Sequence, residues 1–150
     1  MDKDDINTAT CCDAATWNDQ PLLDELIAAG ADVNAPDENG WSPAIHACFH
    51  GHPQSLAQLI AAGCDIEAMN PIGWSAATAA ATYGHEDCLA QLLAAGCKIE
   101  FAPKPGAVAI NPLLKYGTAN CIAMIEAELE RRILAAATGQ AFPAKQALRV

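Results

Sequence analysis

Residues 56–63 read Leu-Ala-Gln-Leu-Ile-Ala-Ala-Gly. The same phrase returns 33 positions later at 89–96 as Leu-Ala-Gln-Leu-Leu-Ala-Ala-Gly, and stands 33 positions earlier at 23–30 as Leu-Asp-Glu-Leu-Ile-Ala-Ala-Gly. In each copy the large apolar residues fall at i, i+3 and i+4, one face of a helix. The glycine sits where a helix stops by entering the left-handed region. Gly40, Gly73 and Gly106, and again Gly51, Gly84 and Gly117, keep the same step of 33. A period of this size marks a unit that cannot bury its apolar face alone and must stack on copies of itself.

Each period holds a second helix. Ser42-Pro43 and Ser75-Ala76 open it, because a serine hydroxyl accepts from a first-turn amide and a proline at the first helical position loses no bond. It ends near Gly51 and Gly84, and the next helix opens at Pro53 in one unit and at Glu86-Asp87 in the other. Carboxylates there favour the positive end of the helix dipole. Two antiparallel helices and an extended connector fill the unit.

The stretches Gly40-Trp41-Ser42-Pro43, Ala47-Cys48-Phe49-His50-Gly51-His52, Leu59-Ile60-Ala61-Ala62-Gly63-Cys64-Asp65-Ile66 and Gly30-Ala31-Asp32-Val33-Asn34 resemble the ankyrin repeat over roughly residues 7–127. Ile45 stands where that family carries the histidine of Thr-Pro-Leu-His, and Ala76 where it carries the proline. The resemblance implies an all-α solenoid of about four helix-turn-helix units, approximately 7–39, 40–72, 73–105 and 106–139, with short β-turn fingers. In the last unit Glu126 replaces the third apolar residue and no glycine stop follows, so a long capping C-terminal helix runs on toward Gly139, with Glu128 and Arg132 paired at i, i+4. The expected arrangement is a single domain over residues 1–139 and a C-terminal tail at 140–150 without periodicity.

Several function classes fall away on composition. No run of about 18 apolar residues is present to span a bilayer, and the polar start Met1-Asp2-Lys3-Asp4-Asp5 suits a cytoplasmic address. Thirty-three alanines suit helices packed in thin layers. All 7 cysteines fall in slots that the repeat gives to small or apolar residues, which reads as buried free thiols. His46 and His50 share a helix face at i, i+4, a spacing that some zinc sites use, yet no HExxH pattern and no fixed carboxylate accompany them; a metal-binding protein is the minor alternative. No nucleophile elbow or phosphate loop appears, so neither enzyme activity nor a cofactor is expected.

Aromatic residues and charge carry the functional reading. By the family resemblance, the finger positions Glu38, Asn39, Trp41, Ile72 and Trp74 and the helix-end positions Trp17, Phe49, His50, Thr82, Tyr83, Lys115 and Tyr116 face a concave partner surface. The plainer reading is that the tryptophans pad the stack. Trp and Tyr dominate interface hot spots, which favours recognition. Between Asp4 and Cys97 stand thirteen acidic residues and no lysine or arginine, while Lys98 to Val150 holds seven basic and four acidic residues. So uniform a negative field repels nucleic acid and anionic membranes and attracts a basic protein. The expectation is therefore a non-enzymatic protein-binding module, a monomer, that recognises a basic protein partner through its aromatic face. The alternative is an immunity or inhibitor protein that blocks a basic toxin or enzyme.

Overall fold

A computed structural model describes residues 10–99 and 117–139. Among them are seven helices and no strand: α1 (Cys11–Trp17), α2 (Gln20–Ala28), α3 (Pro43–His50), α4 (Pro53–Ala61), α5 (Ala76–Thr82), α6 (Glu86–Ala94) and α7 (Ala119–Thr138). α1, α3 and α5 pack in one row, and α2, α4, α6 and α7 in a second row against it. Three complete helix pairs and the second helix of a fourth unit are thus described. The proline-rich finger at 101–106 lies outside the described residues.

Helix starts follow from side chains that accept orphan amides. Thr10 and Asp13 form a reciprocal capping box on α1, and Asp19 Oδ1 accepts from the Leu22 amide at 3.1 Å. Ser42 and Ser75 hydroxyls each accept from the amide three residues on, at 3.3 Å. α4 and α6 begin where Pro53 and Glu86-Asp87 place them.

The three Ala-Ala-Gly stops close identically. Gly30, Gly63 and Gly96 have φ of 83°, 84° and 81°. Their amides bond to the carbonyls of Ile27, Ile60 and Leu93, while the next residues, Ala31, Cys64 and Cys97, bond to Leu26, Leu59 and Leu92. In this double closure the residue after the glycine folds back on the last helical turn and is apolar for that reason. Two of the cysteines are thereby explained as packing residues. All seven are free, six of them buried and Cys64 half-buried. Burial pushes the Cys97 thiol up to about 12 and Cys64 to about 11, which leaves them as neutral packing groups.

Consecutive units are tied by side chains that reach back one repeat. His52 Nε2 donates to the Thr16 carbonyl and His85 Nε2 to the Phe49 carbonyl, both at 3.1 Å. Ser55 donates to Asn18, Gln58 to Asp24 and Gln91 to the Pro53 carbonyl, at 2.8, 2.6 and 3.0 Å. At the last layer Asn120 donates to Glu86 at 2.8 Å, and Arg132 donates from Nη1 to the Cys97 carbonyl at 2.8 Å. Glu128 receives both Arg131 and Arg132, so α7 is held as it passes the nine-residue length of its counterparts.

Two glycines separate backbone strain from stacking. Gly63 has open space around the position of a side chain, so Gly63→Ala should cost only the left-handed penalty of roughly 1–2 kcal/mol. At Gly51, φ 71°, an added Cβ would meet the His85 ring at 2.6 Å. Gly51→Ala should therefore be the more destabilising of the two in urea unfolding. Equal losses would mean that the His85 ring moves aside freely.

Candidate partner surface

The finger between α2 and α3 is built around Asp37. Its Oδ1 accepts from the amides of Asn39 and Trp41, both at 2.9 Å, and its own amide bonds to the Trp41 carbonyl at 3.0 Å. This turn fixes Trp41 at the base of α3. The next finger repeats it with Asn70, whose Oδ1 accepts from Ile72 and Trp74 at 3.1 and 2.9 Å. The second carboxylate oxygen of Asp37 takes a hydrogen bond from His46 Nε2 at 2.7 Å. In the following unit the slot of His46 is held by Ala79, and the Asn70 Nδ2 is buried with no hydrogen-bond partner among the described residues. An uncharged amide belongs there, because a buried carboxylate without its histidine would cost more than the amide does.

From these bases the rings meet across repeats. Trp41 lies 5.6 Å from His46 and 5.1 Å from Phe49; Phe49 lies 5.0 Å from His50 and 4.5 Å from Tyr83; Tyr83 lies 6.2 Å from Trp74. Edge-on and tilted contacts at these distances are the favoured geometries for aromatic pairs. His46 and His50 stack in parallel at 6.1 Å, and His50 continues to His52 at the same distance. Trp41, Trp74 and Phe49 are half-buried with one edge on the core, whereas His50 and Tyr83 are exposed. The tryptophans thus both pad the stack and remain accessible.

The other expected positions fall as follows. Glu38, Asn39 and Ile72 are exposed on the fingers, Ile72 at 70%. Thr82 is half-buried and its hydroxyl is spent on the Thr78 carbonyl at 2.7 Å. Trp17 is exposed and makes no ring contact among the described residues, so it stands apart from the cluster. Lys115 and Tyr116 lie outside the described residues. Two participants were missed by sequence reasoning: His46 as a ring of the cluster and Asp37 as the anchor of its finger. Asp37 and Asn70 could have been found, since each stands four residues before a tryptophan and they are one period apart. Among the described residues no group of three or more His, Cys, Asp or Glu is placed to hold a metal ion.

Electrostatics of the cluster favour its neutral and anionic forms. Burial, together with the charges of His46, His52 and His85, lowers the His50 pKa. Burial pushes the Asp37 carboxyl up, but the Trp41 amide, the His46 ring and the Asn39 amide outweigh it and hold the group below its ordinary 3.8. Because the folded chain then binds this proton less readily than the unfolded chain, the Asp37 contribution is complete above the ordinary value and is lost as pH falls through the folded one. Asp37→Asn keeps the finger acceptor, as Asn70 shows. Its melting temperature should accordingly fall less than that of the parent between about pH 5 and pH 3. Parallel acid profiles would remove Asp37 from the acid sensitivity.

No helix among the described residues is long and apolar enough to cross a membrane. Comparison with curated proteins gives no match. Comparison with protein-family models matches ankyrin repeats, in three copies, over residues 12–102, more than half of the chain. Ankyrin repeats are protein-protein interaction modules, typically without catalysis of their own. Capped helix pairs, left-handed glycine stops and this match agree: the chain belongs to the ankyrin-repeat family.

Proposed function

We propose that the ring cluster is the recognition face of a non-enzymatic module, and that its partner is a protein with a basic docking surface. The observation that carries this reading is the unbroken ring contact from His46 through Trp41, Phe49 and Tyr83 to Trp74, spanning two units on residues that are half-buried or exposed. Rings locked by their neighbours lose little freedom on binding, which reduces the ordering cost of association. The acid-only stretch from Asp4 to Cys97 supports a cationic counterpart, which it would attract and orient. A narrower version is an inhibitor or immunity protein seated on the positive active site of an enzyme; the same one-sided charge supports it. A cytoplasmic setting fits seven free thiols, most of them buried.

The test is capture from extract of the protein's own cell by the parent and by Trp41→Ala with Trp74→Ala, at matched helix content. A basic protein should be retained by the parent, released by salt, and held at least roughly tenfold more weakly by the double variant. Retention of the same proteins by the double variant, with a melting temperature many degrees lower, would assign the tryptophans to stacking alone.

A further inference from the structure

One interface of the stack holds two thiols in contact. Cys48 on α3 and Cys88 on α6 are both buried, on helices that pack directly on one another, and the Cys48 S–H donates to the Cys88 sulfur. The repeat register shows that this pairing is local. At the interface before it the slot of Cys88 holds Ser55, which reaches back to Asn18 at 2.8 Å, and the slot of Cys48 holds Ala15. One unit on, the slot of Asn18 is held by Gly51, which offers no side chain, and Cys88 meets Cys48 instead. At the interface after it Cys121 keeps the slot of Cys88, but Ala81 stands where Cys48 would be.

Two further observations set Cys88 apart. A cleft of about 280 Å³ between Gly51, Pro53 and the first turn of α6 has Cys88 in its wall, with room for a peroxide, which is little larger than water. Cys88 is also the third residue of α6, where the positive end of the helix favours a thiolate, and the N-cap His85 spends its ring on the Phe49 carbonyl and not on that turn. The hydrogen bond from Cys48 lowers the Cys88 pKa against burial and the Asp87 carboxylate, whereas burial pushes Cys11, Cys12, Cys48, Cys64 and Cys97 up. The thiolate is the form that an oxidant meets.

We propose that Cys48 and Cys88 are a redox pair, closed to a disulfide by a peroxide and reopened by a dithiol. The Cys88 thiolate attacks one peroxide oxygen, the O–O bond breaks, Cys88 becomes a sulfenic acid, and the other oxygen leaves as hydroxide and takes up a proton to become water. The Cys48 sulfur then attacks the sulfenic sulfur; the S–S bond forms, the S–O bond breaks, and the departing hydroxide leaves as water with the Cys48 proton. Two thiols lose two electrons, and one peroxide is reduced to two waters. The sulfurs have only to close from hydrogen-bond contact to a bond, on helices that already touch. The bond encloses α4, the second finger and α5, and so fixes together the two units whose rings meet at Phe49 and Tyr83.

The full chain, reduced and then exposed to hydrogen peroxide at neutral pH without denaturant, tests this by alkylation, peptide mapping and melting. The expected product is a single chain that has lost two hydrogens, carries a link between the peptides of Cys48 and Cys88, and melts roughly 5–10 °C above the reduced chain until dithiothreitol is added. The repeat itself supplies replacements that the fold accepts: Cys48→Ala copies Ala15 and Ala81, Cys88→Ser copies Ser55, and Cys64→Ala copies Ala31. Cys48→Ala should stop at a sulfenic acid on Cys88 that dimedone traps, Cys88→Ser should leave Cys48 reduced, and Cys64→Ala should bridge as the parent does. A parent whose seven cysteines all alkylate on unfolding after the peroxide step, oxidation that goes instead to the half-buried Cys64 or links separate chains, or a bridge that forms only in denaturant would each overturn the proposal.

Discussion

The ring of His85 occupies the space that a side chain at position 51 would need, and the rest of the stack depends on that exclusion. The glycine is required twice, once for its positive φ at the end of α3 and once to let the next repeat come close enough for its histidine to reach the Phe49 carbonyl. Helix termination and repeat stacking are thus one constraint. The same histidine fixes the height at which Tyr83 meets Phe49, so the aromatic cluster inherits its geometry from the stacking contact. No unit of about thirty residues could hold these rings in place alone, because nine-residue helices are too short to be stable without a packed face.

That the fold could be read from the chain follows from this economy. Pro53, Glu86-Asp87 and the Ala-Ala-Gly stops act on their own local backbone, and their effects recur wherever the residues recur. The candidate surface was legible only in part. The period assigns Phe49 and Tyr83 to slots, but their contact joins different slots of neighbouring units, which a register does not reveal. His46 has no counterpart one period on, since Ala79 stands there, so its bond to Asp37 could not be inferred from repetition. Trp17 shares the slot of His50 and Tyr83 and so reads from the register as one of the rings. Its separation from them arises from what lies beside it, and that is a property of the layer and not of the residue.

The acidity of the stack has a structural origin before it has a functional one. Asp13 and Asp19 cap helices; Asp32, Asp37 and Asp65 accept backbone amides in tight turns; Asp24, Glu67 and Glu86 receive Gln58, the Lys98 amide and Asn120 from the following unit. Each of these places needs an acceptor for an N–H group, and a carboxylate makes the stronger bond. None needs a cation. Repeating the unit therefore accumulates negative charge as a by-product of satisfying its turns and caps, and the negative field arises from the same side chains that hold the layers together. Glu38 is different: it is exposed on the same finger, and among the described residues its carboxylate accepts no hydrogen bond, so its charge is not used by a turn or a cap.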